Sequence, residues 1–303
     1  MIKYKSPFYF SLYRSLNELE LGMCDNFPFF ERKFSVTMRL HLRAVILALT
    51  LFIISCGEKK TTESEAPVDS MAINYTILKT LPHYTDSYTE GLTIHNNKLY
   101  ESTGQNGKSW VAEVDPGSGN HDKKIILGDQ YFGEGMTVLN NKLYYLTWRT
   151  KIGFIYDAKT YKQIGEFKYE NEGWGLTHND KELIMSDGTE KIYFLDSANQ
   201  KVTRTITVTD NGERLKAINE LEYVNGYIFA NIYETSRIVK IDPSTGKVVG
   251  RLDLSIIVEE IKRMYQNTAE LNGIAYDRNS KALLITGKLW PKSYLIRVQQ
   301  PGA

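Results

Sequence analysis

Short apolar runs recur along this chain at nearly regular intervals, and each is entered through a polar or aromatic residue beside a small or apolar pair. The entries are Glu90-Gly91-Leu92-Thr93, Glu134-Gly135-Met136-Thr137, Trp174-Gly175-Leu176-Thr177, Asn219-Glu220-Leu221-Glu222 and Asn272-Gly273-Ile274-Ala275. They lead into Lys98-Leu99-Tyr100, Lys142-Leu143-Tyr144, Glu182-Leu183-Ile184, Tyr227-Ile228-Phe229 and Ala282-Leu283-Leu284. A β pattern with a period of about forty to fifty residues predicts a propeller, whose equivalent positions converge on one axis.

A second marker keeps the same period. Asp115-Pro116-Gly117, Asp157-Ala158-Lys159-Thr160, Asp196-Ser197-Ala198-Asn199 and Asp242-Pro243-Ser244-Thr245-Gly246 each lie 22 to 25 residues after a strand entry. Asp, Pro and Gly there suit a hairpin between the third and fourth strands of a blade. The last unit has only three readable strands, whereas the alternating stretch from Ile73 to Leu78 has no blade of its own. Pairing the two completes a four-stranded blade and removes exposed edges. The prediction is an all-β, five-bladed propeller over about residues 72–300. One amphipathic helix interrupts it near 255–269, with Ile257, Ile261, Met264 and Tyr265 at helical spacing.

Composition narrows the function. The formal net charge is +1 and no basic run interleaves with aromatics in the repeats, which argues against nucleic-acid binding. Arg39 and Arg43 precede the apolar run Ala44–Ile54, and Ser55-Cys56-Gly57 follows. This reads as an export signal at 38–55 ending in a bacterial lipobox-like cysteine. Cys56 would be lipidated and anchor an exported protein to the bacterial envelope membrane, with 56–71 as a flexible tether. Residues 1–37, before Met38, read as an upstream extension or a misplaced start. The other cysteine, Cys24, lies there, so the repeats hold no disulfide, Cys-based zinc site or cysteine nucleophile. His83, His95, His121 and His178 lack metal-ligand spacing, and no metal or cofactor is expected.

The candidate chemistry gathers at the strand entries. Phe132 and Glu134 open one inner strand, and Trp148 lies fourteen residues beyond Glu134. Trp174 and Asn219 hold the ring position of the next two blades, Tyr233 follows Asn219 by fourteen, and Lys288 lies near the end. Converging, these would form an aromatic-walled pocket in which burial raises the Glu134 pKa toward the range of acid–base work, with Glu90 beside it. The same residues also suit a non-catalytic propeller binding peptides or glycans at a cell surface.

Longer strings are more specific. Tyr88-Thr89-Glu90-Gly91-Leu92, Tyr131-Phe132-Gly133-Glu134-Gly135, Leu146-Thr147-Trp148, Glu172-Gly173-Trp174-Gly175-Leu176, Asn219-Glu220-Leu221-Glu222-Tyr223, Leu271-Asn272-Gly273-Ile274 and Thr286-Gly287-Lys288-Leu289-Trp290-Pro291 occur in this order. The chain thereby resembles the plant and bacterial glutamine cyclotransferase family of five-bladed propellers. The resemblance implies a monomeric acyltransferase that turns the N-terminal glutamine of a peptide or protein into pyroglutamate and releases ammonia. It implies Glu134 as acid/base and Tyr88, Glu90, Phe132, Trp148, Trp174, Asn219, Tyr233 and Lys288 as the substrate pocket. Glu90 stands where the family commonly has glutamine, and Tyr233 where it commonly has tryptophan.

Overall fold

The computed structural model describes residues 69–299. The extension at 1–37, the export signal at 38–55, Cys56 and the tether as far as residue 68 lie outside the described residues. Residues 69–71, the end of the stretch read as tether, are bonded to the fold. Asp69 accepts from Arg251 Nη1 at 2.8 and 2.9 Å, and Arg251 N donates to Met71 O at 2.7 Å.

β1 (Tyr75–Pro82) precedes four complete sheets. They are β2 to β5 (Thr89–His95, Lys98–Thr103, Trp110–Val114, His121–Ile126) and β6 to β9 (Gly133–Leu139, Lys142–Thr147, Ile152–Asp157, Gln163–Lys168). Next come β10 to β13 (Leu176–His178, Glu182–Ser186, Lys191–Asp196, Val202–Thr207) and, after a small hairpin of β14 (Thr209–Asp210) and β15 (Glu213–Arg214), β16 to β19 (Ile218–Val224, Tyr227–Ile232, Arg237–Ile241, Val248–Asp253). The fifth sheet holds β20 (Leu271–Asp277), β21 (Ala282–Gly287) and β22 (Lys292–Val298), and its outermost strand is β1, running from Tyr75 opposite Val298 to Pro82 opposite Lys292. Each innermost strand packs against the next around the ring, β20 returning to β2. The protein is a five-bladed β-propeller, as the repeat predicts.

The two sequence markers have distinct physical roles. Asp115, Asp157, Asp196 and Asp242 each accept backbone N–H bonds from residues two or three further on, at 2.7 to 3.1 Å, which shapes the outer hairpins. Four of the five strand entries are β-bulges: pairing slips between Thr89 and Gly91, Gly133 and Met136, Ile218 and Leu221, and Leu271 and Ile274, whereas the third blade pairs in regular register from Leu176. A bulge re-aims a side chain off the ladder, and the slip falls at Glu90, Glu134, Asn219 and Asn272. The glycine after the ring residue lets neighbouring inner strands approach. A Cβ on Gly135 would lie 2.5 Å from Trp174 O and 2.6 Å from Leu176 N. The fourth blade has Glu220 instead, and its buried carboxyl accepts from Leu92 N at 3.2 Å and Ile274 N at 2.8 Å, tying three blades across the axis.

The helix α1 (Ser255–Met264) is shorter than the sequence pattern predicts. Ile257, Val258 and Ile261 are buried in a core shared by the fourth and fifth blades, but Met264 is 53% exposed and Tyr265 already has extended backbone, φ −136°. Tyr265 still packs against that core, so the apolar spacing continues past the end of the helix.

His83, which carries no metal spacing in the sequence, joins distant parts of the ring. Its Nε2 faces Glu101 Oε1 at 2.9 Å and its Nδ1 faces Trp290 O at 2.6 Å, so both nitrogens donate and the ring is an imidazolium. Burial alone would drive the proton off; the Glu101 charge and both hydrogen bonds outweigh it and hold the pKa above the ordinary value. The resulting stability is complete below the unfolded pKa of about 6.5 and is lost as pH rises through the raised folded value. His83→Gln is therefore expected to cost about 1.5–3 kcal/mol near pH 6 and progressively less in alkali. Urea unfolding that shows an equal loss at both pH values would contradict a charged His83.

Candidate active site

Two structural positions build the site. One is the entry of the innermost strand, the other the exit of the second strand, and antiparallel pairing puts both at one end of the propeller. Trp148, Tyr233 and Lys288 each follow directly on β7, β17 and β21. Their backbone N–H groups donate to Phe132 O (2.9 Å), Ala217 O (2.8 Å) and Glu270 O (2.9 Å), so they occupy equivalent places in three blades.

The aromatic side chains meet in sequence around the opening. Trp148 and Phe132 have ring centroids 5.5 Å apart, and Phe132 and Tyr88 lie edge to face at 6.3 Å. The Lys288 ammonium sits 4.5 Å from the Tyr88 ring centre and 5.8 Å from that of Tyr233. Tyr233 packs edge to face on Trp174 at 5.5 Å. The structure thus brings together the predicted Tyr88, Phe132, Trp148, Trp174, Tyr233, Glu90 and Lys288.

Glu90 and Lys288 form a buried ion pair, with Nζ 2.6 Å from both carboxylate oxygens. Asn272 Nδ2 adds a bond to Glu90 Oε2 at 3.3 Å. Burial pushes the Glu90 carboxyl up to about 7, with Lys288 opposing. Lys288 is 4% exposed; desolvation pulls its pKa down, but Glu90 and Glu134 more than compensate and keep it charged.

Glu134 differs from its neighbour. It is 6% exposed, and no protein donor reaches its carboxyl oxygens among the described residues. Burial raises its pKa well above the carboxylate range; the charges of Glu90 and Glu172 raise it further, against Lys288. Glu134 accordingly keeps its proton to higher pH than an ordinary carboxyl. Asn219 is buried, and its Oδ1 has no hydrogen-bond partner among the described residues, an acceptor free for an incoming N–H.

Two acidic residues near this opening are absent from the sequence-predicted set. Glu172 Oε2 accepts from Trp148 Nε1 at 2.7 Å and from Trp174 Nε1 at 3.1 Å. Glu270 has a buried Oε2 without a partner among the described residues, and its charge bears on Glu90, Tyr88 and Tyr233. Both lie two residues before a ring position, the register that Tyr88 and Phe132 hold in their own blades, so the repeat itself carried the signal.

Other clefts lie apart from these groups. One of about 290 Å³ opens beside Leu81, Ile94 and Leu284, and one of about 550 Å³ lies by His95, His178 and Arg278. Neither borders a predicted site residue. Among the described residues no group of three or more His, Cys, Asp or Glu is arranged to hold a metal ion.

The site thus combines a buried acid that no protein donor reaches among the described residues, a buried ion pair and a run of aromatic side chains. Comparison with known proteins identifies the family. A sequence model for glutamine cyclotransferases matches residues 46–298. The chain is 38% identical over 230 residues to a glutaminyl-peptide cyclotransferase of Arabidopsis thaliana, covering 75% of this chain and 72% of that protein. It is similar to the crystal structure of Myxococcus xanthus glutaminyl cyclase, with a TM-score of 0.71 and 32% identity over 76% of this chain and 98% of that one. The chain belongs to the glutamine cyclotransferase family, a family of acyltransferases.

Proposed function

We propose that this protein is a glutaminyl-peptide cyclotransferase, closing the N-terminal glutamine of a peptide to pyroglutamate and releasing ammonia, with Glu134 as the proton carrier. The observation behind that role is the Glu134 carboxyl itself: buried, without a protein hydrogen bond among the described residues, and pushed well above the carboxylate range. The similarity to a glutaminyl-peptide cyclotransferase of Arabidopsis and a glutaminyl cyclase of Myxococcus supports the substrate class.

The reaction is intramolecular. The neutral α-amine attacks its own side-chain carbonyl carbon, forming the new C–N bond while the carbonyl electron pair moves to oxygen. The oxyanion pair then re-forms the carbonyl and expels the old nitrogen, to which Glu134 gives its proton as that C–N bond breaks, and Glu134 recovers a proton from the α-nitrogen. Net, one proton passes from the α-amine to the departing nitrogen, and ammonia leaves. Because nucleophile and electrophile are tethered, the site has mainly to orient them and stabilise charge. Asn219 Oδ1 is available to an N–H of the substrate. Lys288 uses donors on Glu90 but keeps its positive charge near the developing oxyanion.

The rate, as kcat/KM, is expected to rise as the substrate amine deprotonates near about pH 8 and to fall when Glu134 ionises. The full-length protein is tested with a Gln-initiated dipeptide, measuring ammonia from about pH 6 to about pH 9. No release at any pH sinks the reading. Export and anchoring through a lipidated Cys56 belong to the same proposal, supported by the run Ala44–Ile54 before it. Cells fed labelled palmitate should label the parent protein and not Cys56→Ser; equal labelling removes the anchor.

A further inference from the structure

We propose that Glu172 is a positioning residue, which locks the two indole walls of the pocket together and sets the width of the slot that receives the glutamine side chain. The inference deepens the cyclotransferase reading and rests on it. The chain of contacts around the opening runs from Trp148 through Phe132, Tyr88, Lys288 and Tyr233 to Trp174. Between its two ends the recorded link is Glu172, whose single oxygen Oε2 accepts from both indole N–H groups, at 2.7 Å from Trp148 and 3.1 Å from Trp174. One shared acceptor atom limits how far apart the two nitrogens can move, and thereby restrains the walls from two different blades.

The rest of Glu172 strengthens that reading. Its Oε1 takes a bond from Arg149 Nε at 3.3 Å, and the Arg149 guanidinium lies 3.9 Å over the Trp148 ring, so Trp148 is held at its edge and on its face. The Glu172 side chain is 36% exposed and that of Arg149 is 70% exposed, so their ion pair adds little to global stability. What the contacts fix is local: the orientation of two rings that are only half-buried. Partial burial pushes the Glu172 carboxyl up, but both indoles and Arg149 outweigh it and keep it ionised through neutral pH. Glu172 therefore has two separable tasks. Holding the indoles needs an acceptor oxygen; keeping Glu134 protonated needs a negative charge.

The test compares the full-length parent, Glu172→Gln and Glu172→Ala by kinetics with a Gln-initiated dipeptide, tryptophan emission and Tm. Alanine is expected to raise KM about tenfold and shift the emission to the red, with little change in Tm. Glutamine keeps an acceptor oxygen and should recover most of the KM and emission. It should still move the alkaline limb of kcat/KM to lower pH, because losing a negative neighbour lowers the Glu134 pKa. Unchanged KM and emission in Glu172→Ala would overturn the inference, as would a glutamine variant no better than alanine with an unmoved pH profile. A parent that releases no ammonia would refute the cyclotransferase reading instead, and the emission spectra would still decide whether Glu172 holds the indoles.

Discussion

Replacing Glu134 by glutamine is expected to lower kcat for ammonia release by about 10²–10⁴-fold while leaving the protein folded. The carboxamide has nearly the same shape but cannot give up and recover a proton during the reaction. Folding should tolerate it because no protein hydrogen bond to the carboxyl is lost among the described residues. The stability change even has a favourable sign. A carboxyl whose folded pKa lies above its unfolded value of about 4.3 stabilises the native state only at low pH, and the contribution is lost as pH rises through the folded value. Burial and Glu90 raise the Glu134 pKa, so the parent carries this alkaline penalty and the glutamine variant does not. Steady-state rates and urea unfolding across alkaline pH check both halves. A variant within a few-fold of parental kcat would remove Glu134 from the chemistry.

Removing Lys288 should produce the largest loss of stability. Its ammonium is the close cationic partner of Glu90, itself 1% exposed, and stripping one member of such a pair leaves an uncompensated buried charge. The expected cost of Lys288→Ala is about 3–5 kcal/mol near pH 9. Burial already pushes the Glu90 carboxyl up to about 7 beside the lysine, and loss of the cation raises it further. In the variant Glu90 can therefore be neutral at lower pH, so the loss shrinks as pH falls. The double variant Lys288→Ala with Glu90→Gln removes the orphaned charge and should regain much of the alkaline loss. Urea unfolding of both variants near pH 6 and near pH 9 measures it. No recovery in the double variant would mean that packing, not charge, accounts for the cost.

How much of this was readable from the sequence depends on whether a feature repeats. Glu134, Trp174, Asn219 and Asn272 could be brought to one axis because a period places them there without knowledge of contacts. The turn aspartates were equally plain, since each bonds within three residues of itself. The bulges that turn the ring side chains off the ladder left only an indirect mark, a following glycine, and the fourth blade has Glu220 there. Glu172 and Glu270 share the register of Tyr88 and Phe132 but differ from them in chemistry, so the ring residue alone does not mark them. The His83 bond to Trp290, 207 residues away, has no local signature at all. Helix α1 shows the opposite failure: apolar spacing runs on to Tyr265, which packs against the core from extended backbone past the helix's end.

As proposed, the site closes glutamine on its own amine rather than passing its acyl group to water. Turnover of a Gln-initiated dipeptide in oxygen-labelled water, followed by mass spectrometry, tests it most directly. Cyclisation predicts one ammonia for each peptide whose amino terminus becomes blocked, with no label in the product. Ammonia accompanied by a free amino terminus and a labelled glutamate side chain would contradict it.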